Sequence, residues 1–381
     1  MKILVYAIKN RKAYDVYNVL KNKYKLGKNL ILATDKFNLF LYLIYGKFYR
    51  LRESDFEKFE QDLLKISSDF QGEDIVFIPQ EERYVELFYR FVEKHGSLNF
   101  KFLLPPNSSF EIARDKERTY KFCEKIGVSV PKTFYCKDLS LLERELPLIG
   151  KPKKGEGAKD FIYIEKKDDI EKLRGIDLQK YIIQKKLSNS HEVAGGFFLC
   201  MEGKVILFYS HKRIRTFPPK GGVTTYSKFT MNYKIKELGE KVLKELNWSG
   251  LVMIEFLYDD VDKEYKLIEI NPRLWGSILL SEFSGACLLK NYINLSLRRP
   301  LEKNKVRENT YIKWFFPGEI LYFLRSGNKK SLFREIFLKH NFKKTCYINI
   351  TYSNIMRTFL FFIQNILSPE SIRKYIAKTK N

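Results

Sequence analysis

Two carboxylates and an amide on one short hairpin are the side chains of this chain best suited to hold a metal ion. The segment Ser249–Tyr258, a polar turn Asp259–Glu264 and the segment Tyr265–Arg273 read as two strands around a turn. Alternation puts Glu269 and Asn271 on one face, and puts Glu255 on the face of Leu251 and Met253. A carboxylate among apolar neighbours requires a cation or a donor to offset its desolvation. Glu255, Glu269 and Asn271 together offer hard oxygen ligands that suit Mg²⁺, which shares its remaining positions with phosphate and water. An ordinary hairpin with solvated carboxylates has the same pattern.

A second segment, Lys151-Pro-Lys-Lys-Gly-Glu-Gly-Ala158, joins two expected strands. Its glycines let backbone N–H groups approach phosphate oxygens and its lysine supplies countercharge, although a basic turn in solvent looks the same. Upstream, Arg114-Asp-Lys116 adds cations within an expected helix over Phe110–Gly127, where a solvated helix face is the plainer reading. His211-Lys-Arg-Ile-Arg215 followed by Gly221 and Gly222 could clamp a carboxylate through bidentate guanidinium pairs. It equally fits a basic surface hairpin, and His211 by itself reads as structural.

These groups need a scaffold. Residues 2–8, 30–34 and 74–79 are short apolar runs alternating with helical spacing over 13–25, 56–66 and 82–95, the pattern of a parallel sheet with helical crossovers. No GxGxxG follows the first strand, so a dinucleotide fold lacks its phosphate loop. Leu104-Pro-Pro-Asn-Ser-Ser109 reads as a linker. Strands are then expected at 148–151, 161–164, 181–184, 193–201, 204–210, 250–258 and 265–270, an α+β body rich in antiparallel pairs. Beyond Pro300 the pattern is basic and helical, at 318–324 and 331–338, and 355–367 is the most apolar segment of the tail.

The order of these motifs resembles the ATP-grasp superfamily, in its carboxylate–amine ligase and carbamoyl-phosphate-synthetase-like branch. The run comprises Ala113-Arg-Asp-Lys116, Gly127-Val-Ser-Val-Pro-Lys132, Lys151-Pro with Gly155 and Gly157, Ile182-Ile-Gln184, Glu192, Glu255 and Glu269-Ile-Asn-Pro-Arg273. The resemblance covers roughly residues 110–300. It implies a pre-ATP-grasp α/β domain over 1–107 and a two-subdomain ATP-grasp fold over 108–300, divided at about 185. A basic, mostly helical extension would follow over 301–381.

It also implies roles. Lys116 and Lys151 would contact ATP phosphates under a lid holding Gly155 and Gly157. Backbone from Gln184 through Lys185 to Leu187 would hold adenine, and Glu192 the ribose. Glu255, Glu269 and Asn271 would bind Mg²⁺, or Mn²⁺ in its place. Arg273, with Lys151, would serve the transferring phosphoryl group. Arg213, Arg215, Gly221 and Gly222 would face the substrate, and Ser277 either the acceptor or a helix start. Lys185 departs from the family, which often has a glutamate after the hinge glutamine.

The implied reaction joins a small-molecule or carrier-linked carboxylate to an amine through an acyl phosphate, releasing ADP and phosphate. A thiol or ammonia as nucleophile, and an inactive nucleotide-binding scaffold at a membrane, are the alternatives.

Composition bounds the setting. Lys and Arg number 69 against 45 Asp and Glu, a net +24, and residues 298–381 hold 18 against 5. Such a field attracts phosphates, nucleic acid or anionic lipid, and compositional bias toward lysine produces it too. No nucleic-acid motif accompanies the charge, so a nucleic-acid partner is not expected. The aromatic, basic tail suits the surface of an anionic membrane, or a cap packed on the body. Five scattered cysteines argue against a disulfide framework and a zinc cluster. With no signal-like start and no apolar run of spanning length, a cytoplasmic protein is expected, in part at the inner face of the membrane.

Overall fold

Lys2–Val5 (β1) is buried from Ile3 onward, as a strand covered on both faces must be, and its neighbours are equally apolar. The computed structural model describes residues 1–135, 139–155, 160–187, 193–217, 223–302, 305–325, 329–333, 346–349 and 354–367. Two compact units result. One comprises Met1–Phe102, Thr224–Ser227 and Leu274–Asn381; the other comprises Leu103–Val223 and Lys228–Arg273.

The first unit continues through Arg11–Asn18 (α1), Leu30–Thr34 (β2), Leu39–Tyr45 (α2), Tyr49–Arg50 (β3) and Phe56–Asp69 (α3). Ile75–Phe77 (β4), Glu82–His95 (α4) and Phe100–Lys101 (β5) follow. The strands form a parallel sheet in the order β3-β2-β1-β4-β5. This is the α/β arrangement expected from the alternating pattern. On α4 the residues Tyr84, Val85, Leu87, Phe88 and Phe91 are buried, the stripe that its helical spacing dictates.

In the second unit, the single helix expected over 110–127 is two helices, Asn107–Ala113 (α5) and Lys116–Lys125 (α6). Asp115 breaks them: its backbone is extended and its carboxylate accepts from the N–H groups of Glu117 and Arg118. Lys116 is therefore the first residue of a new helix. Thr133–Phe134 (β6), Leu139–Glu143 (α7), Leu148–Pro152 (β7), Ile162–Ile164 (β8) and Tyr181–Lys185 (β9) follow. Their strands form an antiparallel sheet in the order β6-β9-β7-β8. It packs Leu148, Ile164 and Ile183 against Leu142, Ile170 and Leu173.

A larger sheet carries Ala194–Met201 (β10), Lys204–Phe217 (β11), Val223–Thr230 (β12), Gly250–Asp259 (β13) and Glu264–Asn271 (β14), with Tyr233–Glu245 (α8) between β12 and β13. Strand β11 runs seven residues beyond the expected end at Ser210, so His211, Arg213 and Arg215 alternate on a strand rather than in a turn. Within this unit the order is β14-β13-β10-β11. Phe198, Val252, Ile254, Phe256 and Leu267 from the sheet meet Tyr120 and Cys123 of α6 and Val242 and Leu243 of α8 in one core. Helix α8 comes close because Gly239 faces the Phe198 ring, which any side chain there would overlap.

The remaining elements belong to the first unit: Ile278–Ser284 (α9), Leu288–Ser296 (α10), Tyr311–Lys313 (β15), Ile320–Arg325 (α11), Lys329–Phe333 (α12), Cys346–Ile348 (β16) and Ile355–Leu367 (α13). The tail was expected to be mostly helical, yet it also supplies two parallel strands, β15 and β16. It is built into the unit. Trp314 is fully buried, its indole N–H donates to Asp15 at 2.9 Å, and its backbone N–H donates to the Thr225 carbonyl at 2.8 Å.

Candidate active site

The hairpin β13–β14 brings Glu255 and Glu269 directly opposite one another, and Met253 opposite Asn271. A bulge follows Glu255: Phe256 pairs with Leu267, leaving Ile268 as the extra residue on β14. The Ile268 carbonyl accepts the Tyr120 hydroxyl at 2.6 Å, which pins α6 beside the hairpin. Tyr120 and Lys116 lie four residues apart, on one helix face. Lys116 Nζ thereby reaches Glu269 Oε1 at 2.9 Å and the Gly155 carbonyl at 3.0 Å. Its backbone N–H donates to the Lys153 carbonyl at 2.9 Å, tying the glycine loop to the helix start. Gly155 has φ +127°, a conformation that its missing Cβ permits.

Arg213, from β11, donates through Nη2 to Glu255 Oε1 at 2.6 Å. Arg273 Nη2 donates to Asn271 Oδ1 at 3.0 Å. Burial pushes the Glu255 carboxyl up; Arg213 opposes that shift, Glu269 adds to it, and Arg273 and Lys116 oppose it. Burial lowers the Lys151 ammonium to about 8, with Glu269 and Glu255 pulling it back up and Lys116 pushing it further down. Four cations, Lys116, Lys151, Arg213 and Arg273, thus share one electrostatic cluster with two carboxylates. An excess of positive charge beside two carboxylates and an amide oxygen suits a polyphosphate together with a hard divalent ion. Among the described residues no group of three or more His, Cys, Asp or Glu could hold a metal. Glu255, Glu269 and Asn271 supply the oxygen donors of this cluster.

No curated protein matches the chain by sequence. A family model described as an ATP-grasp domain matches residues 113–277, which include every side chain of that cluster. Residues 113–277 are thus similar to an ATP-grasp domain. Solved structures agree on the fold. Biotin carboxylase from Campylobacter jejuni, solved as a β,γ-ATP complex, has TM-score 0.64 at 17% identity, covering 81% of this chain and 74% of that one. The biotin carboxylase domain of Hydrogenobacter thermophilus 2-oxoglutarate carboxylase, solved with MgADP, ADP and bicarbonate, has TM-score 0.61 at 15% identity, covering 81% and 73%. N5-carboxyaminoimidazole ribonucleotide synthetase from Thermus thermophilus has TM-score 0.60 at 17% identity, covering 82% of each chain.

Within the matched stretch the expected hinge residues end β9. The Gln184 side chain is fully buried and donates through Nε2 to Thr133 Oγ1 at 2.9 Å, so its side chain serves the sheet. Lys185 Nζ donates to the carbonyls of Glu145 and Leu146 at 2.7 and 2.9 Å. Its ammonium is a staple, and only its backbone could meet a base. Leu187 follows, half-buried. Arg215 lies two residues beyond Arg213 on the same side of β11, buried. Burial and the neighbouring Arg213 hold the His211 ring neutral, its pKa well below the usual imidazole range, and it packs edge-on to Phe197. That is the structural role its sequence context indicated.

Ser277 stands at the N-cap position of α9 in the first unit, with no capping hydrogen bond from its side chain. Gly157, Glu192, Gly221 and Gly222 lie outside the described residues. Sequence reasoning missed three features of this site: the Arg213–Glu255 pair, the Asp115 helix break and the Ile268 bulge. Only Asp115 had a readable signal, a capping residue immediately before a helical run.

Proposed function

We propose that the chain is an ATP-dependent, ADP-forming ligase that activates a carboxylate as an acyl phosphate and transfers the acyl group to an amine. A carboxylate acylates poorly because oxide is a poor leaving group, and phosphorylation replaces oxide with phosphate. That transfer requires alignment and neutralisation of negative charge more than covalent catalysis. The observation carrying the reading is the cluster of Lys116, Lys151, Arg213 and Arg273 around Glu255, Glu269 and Asn271 in a stretch similar to an ATP-grasp domain.

In this reading Lys116 and Lys151 hold the phosphates, with the backbone of the Gly155 loop covering them. Glu255, Glu269 and Asn271 would hold Mg²⁺, which supplies charge neutralisation at the phosphates. Arg273, held by Asn271, neutralises charge on the transferring group. Arg215 and Arg213 offer guanidinium pairs to the substrate carboxylate. The carboxylase relatives were crystallised with adenine nucleotides, and one with bicarbonate, which supports a nucleotide beside a small carboxyl compound.

ADP release measured over panels of carboxylates with amines tests the proposal. Stimulation by one acid–amine pair is the expected result. Stimulation only by thiols or ammonia would replace the nucleophile. Nucleotide binding without release in any combination would leave a binding scaffold.

A further inference from the structure

Helix α13 packs with its polar side. Asn354, Thr358, Phe361 and Gln364 are buried, with Thr358 sharing a 2.8 Å hydrogen bond with the Tyr14 hydroxyl and Phe361 stacked on the Tyr14 ring. Ile355, Met356 and Phe359 instead stand 52, 70 and 52% exposed. The neighbouring α2 does the same: Leu41 and Ile44 are buried, while Leu39, Tyr42 and Leu43, with Phe37 just before them, are exposed. Both helices belong to the first unit. Apolar side chains left outside on two adjacent helices, while polar ones are packed inside, mark a surface for interaction.

We propose that α2 and α13 form a docking surface for an anionic phospholipid membrane. Charge selects this occupant. Residues 36–50 contain Lys36, Lys47 and Arg50 and residues 354–367 contain Arg357, with no acidic residue in either stretch. The adjacent Asp35 is already neutralised by Lys9 at 3.0 Å. An apolar face whose own two segments carry only cationic charge matches anionic headgroups over acyl chains. A second copy of the chain fits less well, because a two-fold contact would set this charge against itself. No helix among the described residues is long and apolar enough to cross a membrane, so the contact is interfacial. The surface is independent of the proposed reaction.

Flotation of the full chain with vesicles of phosphatidylcholine, alone and with phosphatidylglycerol added, tests this. Binding is expected to the anionic vesicles only, weakening as salt rises. The double variant Leu43→Glu/Phe359→Glu should lower partitioning by about tenfold or more. It should melt as the wild type does, because both side chains are exposed. The proposal is overturned if anionic vesicles fail to float the protein, or if the double variant floats equally well. Light scattering that shows a dimer split by the double variant would also overturn it, assigning the face to a second copy.

Discussion

Arg213 Nη2 reaches Glu255 Oε1 at 2.6 Å across an intervening strand. Strand β10 lies between β11 and β13, and the residue it presents opposite both Glu255 and His211 is Gly195. With no side chain there, nothing blocks the guanidinium. A Cβ at Gly195 would already lie 3.0 Å from the Phe197 ring and 3.1 Å from His211 Nε2. The side chains are only 20 and 12% exposed, so removing one partner strands a largely buried charge. Arg213→Met is expected to cost about 3–5 kcal/mol of unfolding free energy. Adding Glu255→Gln should restore most of that loss in denaturant titrations. Equal stability of wild type and Arg213→Met would show the pair to be incidental.

If Lys151 meets the ATP phosphates as proposed, its ammonium, lowered to about 8 by burial, sets a pH limit on nucleotide use. Below that value the lysine is charged and can meet phosphate; above it the free protein holds a neutral amine. The kcat/KM for ATP, which reports the free enzyme, is therefore expected to fall as pH rises through about 8. Lys151→Arg, with a guanidinium that stays charged, should flatten the profile there. An unchanged inflection in that variant would assign the titration to another group.

Glu269 is partly exposed and salt-bridged to Lys116, so its amide replacement should fold. Glu269→Gln is expected to lower turnover by about 100-fold or more, the scale of losing several kcal/mol of charge stabilisation. Melting temperature and ADP release, measured side by side, separate loss of chemistry from loss of structure. Wild-type turnover would remove Glu269 from the site.

The helix break at Asp115 positions Lys116. Asp115→Ala loses an N-cap worth about 1 kcal/mol, read as a lower melting temperature, and should also weaken nucleotide binding. Loss of stability with unchanged affinity would confine Asp115 to a structural role.

Truncation after Pro300 removes Trp314, whose indole donates to buried Asp15, and strand β15. The shortened chain is expected to lose cooperative unfolding of the first unit, measured by calorimetry. A melting temperature within about 2 °C of the full chain would show residues 301–381 to be dispensable.

Much of this was legible in the sequence because it rests on local periodicity. The 82–95 helix, the 30–34 strand and the Glu255/Glu269 hairpin follow from spacing alone. What was not legible depends on contacts distant in the chain. The Arg213–Glu255 pair is one such contact, because nothing local shows that a glycine on the strand between them opens the path. Gln184 and Lys185 sat in a recognisable motif, but their side chains are used by Thr133 and by the carbonyls of Glu145 and Leu146. The tail's strands were hidden because β15 and β16 are three residues each and gain their partners from far away.

The most direct test of the central claim is a crystal structure of the protein with Mg²⁺ and a non-hydrolysable ATP analogue. The account predicts oxygens of Glu255, Glu269 and Asn271 at about 2.0–2.1 Å from metal, with Lys116 and Lys151 on the phosphates. A nucleotide bound elsewhere, with Glu255 still held by Arg213 and Glu269 by Lys116, would contradict it.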